Sequence, residues 1–188
     1  MKIRKMIAVL LFVGLAACAR PASDVFRDPN MDFGAIQTIM VMPFANQTRE
    51  QASADRVRDV FINRLLASGA VYVPPVGEVK RGIMRAGIVD ATIPSAEEIK
   101  SIAGIVKADA VITGALKEYG DVRSSAAIST VISLSVQLVE TQTGKVVWAA
   151  STTKGGITFW DRLFGGGGEP MNVVTEKAVD DIIDKLFK

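Results

Sequence analysis

The chain has 188 residues, 49% of them hydrophobic, which suits one domain of ordinary size rather than two. It holds no histidine and a single cysteine, which removes the commonest general base and metal ligand, any Ser-His-Asp or Cys-His device, any intrachain disulfide and any cysteine-based zinc cluster. The formal charge of +2 comes from 22 basic and 20 acidic residues, and no basic run with interleaved aromatics accompanies it, so nucleic-acid binding is not expected.

The chain opens Met-Lys-Ile-Arg-Lys, continues through an apolar stretch from Met6 to Leu15, and reaches Ala16-Ala17. A positive start, an apolar segment too short to span a bilayer comfortably and small residues before a cut mark residues 1–17 as a secretory signal. The alternative to lipidation is a plain signal whose cleavage region happens to contain a cysteine. Leu15-Ala16-Ala17-Cys18 resembles a bacterial lipobox. That resemblance implies cleavage before Cys18, diacylglyceryl attachment at its thiol and acylation of the new amino terminus. Two or more acyl chains anchor stably, at about 0.8 kcal/mol per buried CH₂. Cleavage removes Lys2, Arg4 and Lys5, leaving 19 basic residues against 20 acidic ones, a mature charge of −1. Residues 18–32, with Pro21 and the turn signal Asp28-Pro29-Asn30, read as a lipidated tether. Residue 19 is alanine, where lipoproteins retained at the inner membrane often carry aspartate. By resemblance to those sorting rules, the periplasmic face of the outer membrane is the expected location.

Residues 33–188 read as one globular domain. Ile36 to Met42 is an apolar run ended by Pro43-Phe44, consistent with a strand buried on both faces. Thr48 with Gln51 three residues later forms a capping-box pattern, and Val57, Val60, Phe61, Leu65 and Leu66 then fall on one helical face until Gly69. Val71-Tyr72-Val73 is a short strand before Pro74-Pro75. Val76 to Arg85 reads as a helix with Val79 and Ile83 inward, weakened by Gly77 and Gly82. Ser95 and Glu98 cap another helix whose buried stripe is Ile99, Ile102 and Val106. Ala110 to Leu116 is the next strand.

A long hairpin follows, from Ala126 to Lys154. Ile128, Thr130, Ile132, Leu134, Val136 and Leu138 alternate with Ser129, Val131, Ser133, Ser135, Gln137 and Val139, so one face meets a core and the other meets water or a partner. Thr141-Gln142-Thr143-Gly144 supplies the turn, and Lys145 to Ala150 returns as a strand. Gly165 to Gly168 is a flexible connection rather than a phosphate loop, because Glu169-Pro170 follows where Gly-Lys-Ser/Thr would be needed. Met171, Val174, Ala178, Ile182 and Leu186 then repeat at helical spacing, and Asp180, Asp181 and Asp184 with Lys177 and Lys185 read as its solvated face. The order β-α-β-α-α-β-β-β-α predicts an α/β (α+β) fold: a single mixed sheet of about five strands with helices packed on it. Its first two strands should be parallel, the third should lie beside the first, and the last three should form an antiparallel meander.

Val41-Met42-Pro43-Phe44, Ala108 to Gly114, and Val136 to Trp148 together resemble, in that order, a CsgG-like group of envelope lipoproteins. The group includes the curli secretion-channel subunit and the lipoprotein activator of penicillin-binding proteins, and it is similar to the N-terminal domain of TolB. Glu169-Pro170 is similar to the channel subunit in particular, while Glu140 stands where the group often has aspartate. The resemblance covers about residues 33–188 and implies protein partners or self-assembly, with no catalytic centre, no cofactor and no small-molecule substrate.

The expectation is therefore a non-catalytic, outer-membrane-anchored periplasmic lipoprotein that binds an envelope partner or acts as an assembly factor in biogenesis or secretion. The alternative is a subunit of an oligomeric curli-type secretion channel or complex. A pore would need spanning strands of about 9–11 residues, whereas only Glu118 to Ser125 separates the third and fourth strands. Phe159, Trp160, Leu163 and Phe164, beside the glycine run, are the expected partner interface, since aromatic anchors dominate such surfaces. Folding back over the sheet is the competing reading, and contact with the membrane is a third.

Overall fold

The computed structural model describes residues 25–123, 128–155 and 168–188. Cys18, Phe159, Trp160, Leu163 and Phe164 lie outside the described residues. In chain order the elements are β1 (Val25–Arg27), a 3-10 turn (Phe33–Ala35), β2 (Ile39–Val41), β3 (Ala45–Asn46), α1 (Ser53–Ser68), α2 (Val76–Ala86), α3 (Ala96–Val106), β4 (Ala110–Arg123), β5 (Ile128–Glu140), β6 (Val146–Gly155) and α4 (Met171–Phe187).

They form one mixed α+β sheet of six strands, ordered β1-β6-β5-β4-β2 with β3 also on β4. As the sequence predicts, β4 lies beside β2, and β4, β5 and β6 form an antiparallel meander; the β2–β4 pairing is parallel, with Ile39 opposite Ala110. The expected strand at Val71–Val73 is a single parallel bridge between Thr38 and Tyr72; Pro74 and Pro75 follow at once and cannot donate to a longer ladder. The sixth strand comes from the stretch read as tether. Val25–Arg27 pairs antiparallel with β6, Val25 opposite Ala150 and Arg27 opposite Trp148. Arg27 fixes that edge further, donating from Nη2 to the Leu186 carbonyl at 2.6 Å and lying 4.2 Å from the centre of the Phe33 ring.

The strand alternation holds through the middle of β5. Ile132, Leu134, Val136 and Leu138 are buried against α1 and α4, together with Phe61, Leu65, Trp148 and Ile182. It fails at both ends: Ile128 is exposed and Ser129 buried, and Val139, expected outward, is buried because α3 covers that end of the second face. Helix α1 also departs from expectation. It begins at Ser53 after Ala52, with no side-chain cap. The Thr48 hydroxyl instead donates to Asn46 Oδ1 at 2.8 Å and meets Ser53 Oγ at 2.9 Å, so Asn46 takes the residue that the capping box needed. Leu66, placed on the buried stripe, is exposed. The cap on α3 forms as read: Ser95 accepts from the Glu98 amide and Glu98 accepts from the Ser95 amide.

On the second face, α2 and α3 pack over Met40, Met42, Val111 and Val139. Gly82, read as a weakness in α2, is what permits this layer. A Cβ there would sit 2.6 Å from Val106 Cγ2, so the two helices approach only because the side chain is missing.

Glu118 to Ser125, read as a connection, is largely strand: β4 runs on to Arg123, past a bulge between Leu116 and Glu118. The acidic face assigned to α4 also needs correction. Asp181 points at the sheet, where Lys154 Nζ lies 2.8 Å and Lys185 Nζ 2.7 Å from its oxygens. Burial pushes its carboxyl up, but the hydrogen bonds from Lys154, Lys185 and Thr152 outweigh that and leave it near a pKa of about 2.

Candidate functional site

The two helical layers are unequal. α1 and α4 cover the whole middle of one sheet face, whereas α2 and α3 cover only the end of the other near β2. Beyond them, among the described residues, the second face lies uncovered across β4, β5 and β6. Its side chains are small and mostly hydroxylated or amide: Thr113 and Ala115 on β4, Ser133, Ser135 and Gln137 on β5, Ala149, Ser151 and Thr153 on β6. Pairing aligns them in rows, Thr113 with Gln137 and Ala149, then Ala115 with Ser135 and Ser151.

Where this open face meets the helical layer there is a groove of about 390 Å³. Its floor is Thr113, Ala115, Ser135 and Gln137, and one wall is the segment Thr92-Ile93-Pro94 leading into α3. That wall is held locally. Asp90 accepts from the Thr92 amide at 2.9 Å and hydroxyl at 2.6 Å, which holds its carboxyl below the usual range, and the Ser95 cap fixes the next residue. Ile93 is left 71% exposed at the rim.

The end of the groove is the turn after β5. Glu140 accepts from the Thr143 hydroxyl at 2.6 Å and the Thr143 amide at 2.8 Å, and also from the Gln142 amide. Burial pushes the Glu140 carboxyl up, but these donors and nearby Lys100 hold it below its ordinary value. Gly144 has φ 74° and lies so close to α3 that a Cβ would meet Ala96 at 3.0 Å.

The groove floor carries hydroxyls and amides but no charged group, and no acid–base pair faces it. Among the described residues no group of three His, Cys, Asp or Glu is placed to hold a metal ion, and no helix is long and apolar enough to cross a membrane. The sequence-predicted site residues Cys18, Phe159, Trp160, Leu163 and Phe164 lie outside the described residues, so the structure neither gathers nor separates them. The groove itself was legible only by half. The small, polar alternation of Ser133, Ser135 and Gln137 marks a face turned to water or a partner, but nothing local says that α3 stops short of it.

The family described as "Putative lipoprotein GNA1162-like" matches residues 33–186. No curated protein matches the chain. Among solved structures, the chain is similar to the PelC dodecamer from Paraburkholderia phytofirmans, at 18% identity and TM-score 0.56, covering 86% of this chain and 94% of that one. It is similar to lipoprotein GNA1162 from Neisseria meningitidis, at 18% identity and TM-score 0.57, covering 80% and 98%. It is also similar to the LpoB C-terminal domain from Salmonella enterica, at 18% identity and TM-score 0.50, covering 67% and 86%. At these identities the likeness is one of fold.

Proposed function

The chain belongs to the GNA1162-like lipoprotein family, and from that membership we propose a non-catalytic protein, anchored through Cys18 at the periplasmic face of the outer membrane, that binds an envelope protein or its own copies. The observation that carries this reading is the open half of the sheet. Six strands are assembled and α1 and α4 pack one face, yet among the described residues a row of small side chains on the other is uncovered. Small side chains let a partner's backbone come close, and their hydroxyls and amides supply hydrogen bonds without a charge to desolvate.

The alternative is a subunit of an oligomeric curli-type secretion channel or complex. Its support is that a protein of this fold is described as a dodecamer. Against a pore, the far part of the β4–β5 hairpin carries Lys117, Glu118 and Asp121, all exposed, and ionisable side chains turned to lipid are costly.

Two long charged side chains on the open face test the reading. Ala115→Arg with Ser135→Arg should leave the melting temperature within a few degrees, while abolishing co-purification of partners or self-association measured by light scattering on gently solubilised, lipidated protein. Retained association would sink the open face as the interface. Cys18→Ser should release the protein from the membrane fraction or block its processing. Phe159→Ser with Trp160→Ser should lose association at unchanged stability if that cluster is a hot spot; a large loss of stability would make it core instead.

A further inference from the structure

The helices differ in how their surface charges are matched. On α4, Lys177 pairs with Glu169, Lys185 with Asp181 at 2.7 Å and Lys188 with Asp184 at 3.3 Å. On α1, Arg64 pairs with both Glu176 and Asp180 of α4. α2 is the reverse case. Its three cations, Lys80, Arg81 and Arg85, make no ion pair among the described residues, and its one acid, Glu78, makes none with them.

Helical spacing gathers those cations on one side. Val79 and Gly82 are buried in the layer shared with α3. At 3.6 residues per turn, Lys80, Arg81 and Met84 fall on the opposite side, with Val76 and Arg85 flanking them. Val76, Lys80 and Met84 make one ridge at intervals of four, and Arg81 and Arg85 make the next. Met84 is 64% exposed and Val76 41%. Like charges four residues apart weaken a helix, and an exposed thioether stem adds nothing to a core. This crest is therefore not explained by the stability of the fold.

We propose that the outer face of α2 docks on an anionic phospholipid bilayer, with Lys80, Arg81 and Arg85 at the lipid phosphates and Met84 between the headgroups. Each cation held near an anionic leaflet raises surface affinity roughly five-fold. The long stems of Lys and Arg lie along apolar surface while their heads stay at the polar boundary, which suits a crest with Met84 among them. The contact is shallow, because Val79 and Ile83 already spend the apolar side of α2 on the protein's own core. An acidic protein offers the same charge, but a chain of a lipoprotein family has a bilayer beside it. The inference rests on the proposed anchoring for that bilayer alone: the anchor holds the domain at the membrane, and α2 selects the side turned toward it.

The test uses the lipidated full chain. Cys18 is the chain's one cysteine and its thiol is acylated, so an introduced cysteine is the only reactive one. Met84→Cys and, on the helix packed against the other sheet face, Asp184→Cys each receive an environment-sensitive fluorophore. Both are titrated with doxyl-labelled lipid in phosphatidylcholine vesicles with and without phosphatidylglycerol. The label at 84 should be quenched at least about two-fold in the anionic vesicles alone, and the label at 184 in neither. Lys80→Glu with Arg81→Glu and Arg85→Glu, or molar salt on the unreversed chain, should abolish that quenching while the protein still floats with the vesicles. Equal quenching at 84 and 184, or quenching at 84 that ignores lipid charge, would overturn the docking surface. No quenching at 84 on floating protein would overturn it too and leave the crest to an acidic protein partner. Failure to float in either lipid would overturn the anchoring and this inference with it.

Discussion

Asp109 shows what the motif residues do. Its carboxylate accepts from the backbone amides of Gln37 at 3.0 Å and Thr38 at 2.8 Å, fixing the entry to β2, while Thr141 donates back to the Asp109 carbonyl at 2.8 Å. Three segments far apart in sequence are thus latched at one corner by residues of two of the motifs. Asp109→Ala should cost about 1–2 kcal/mol in urea unfolding, because two amides lose a charged acceptor at a partly wet site. A second latch is steric. A Cβ on Gly114 would lie 2.8 Å from the ring of Phe44, which itself meets Phe61 edge-on at 5.7 Å. Gly114→Ala should therefore destabilise by about 1–3 kcal/mol. Gly104→Ala, in α3 with nothing within 4 Å, should be neutral or stabilising by up to about 1 kcal/mol, and a similar loss at both sites would refute the steric account. Latches of this kind are hard to read from sequence because both depend on partners dozens of residues away. The Ser95–Glu98 cap was readable because both partners lie within one turn.

Among the elements, β5 was the most legible, since a period of two survives wherever one face is packed. Leu134→Ala should cost about 2–5 kcal/mol, and Ser135→Ala, facing the open side, close to nothing. Equal small effects in a denaturant titration would mean that the two faces are not distinct. The phase was lost at Ile128 and Val139 because burial there depends on where neighbouring elements stop. α4 was legible as a core helix, but its charges were not. Periodicity shows that Asp181 lies beside an apolar stripe, and only the sheet's own Lys154 decides that it is bound there. With the Asp181 pKa held at about 2 in the fold against an ordinary 3.8, its contribution is complete above about pH 4 and is lost as pH falls toward 2. After allowance for solvent screening this is about 1–2 kcal/mol. Asp181→Asn should flatten that part of a stability-against-pH curve; an unchanged acid slope would show that the lysines do not hold the charge.

At the level of the whole molecule, the mixed sheet, the place of β4 beside β2 and the meander followed from the order of elements, while the unequal helical layers did not. α2 and α3 end at Gly87 and Lys107, both in the left-handed conformation, but which strands the helices leave bare is a matter of packing. The edge strand has a consequence in time. β4, β5 and β6 are joined by short connections and can pair as soon as they meet, whereas Val25–Arg27 must wait for residues 148–150, more than a hundred positions later in synthesis. The N-terminal strand is therefore expected to be the last one stitched into the sheet. Closing mutations in β1, such as Val25→Ala, should speed unfolding and leave the refolding rate nearly unchanged, while Leu138→Ala in the meander should slow refolding, as read from the two arms of a stopped-flow chevron. Under the proposed anchoring at Cys18, the membrane end of the chain would reach its final geometry only once the fold is complete.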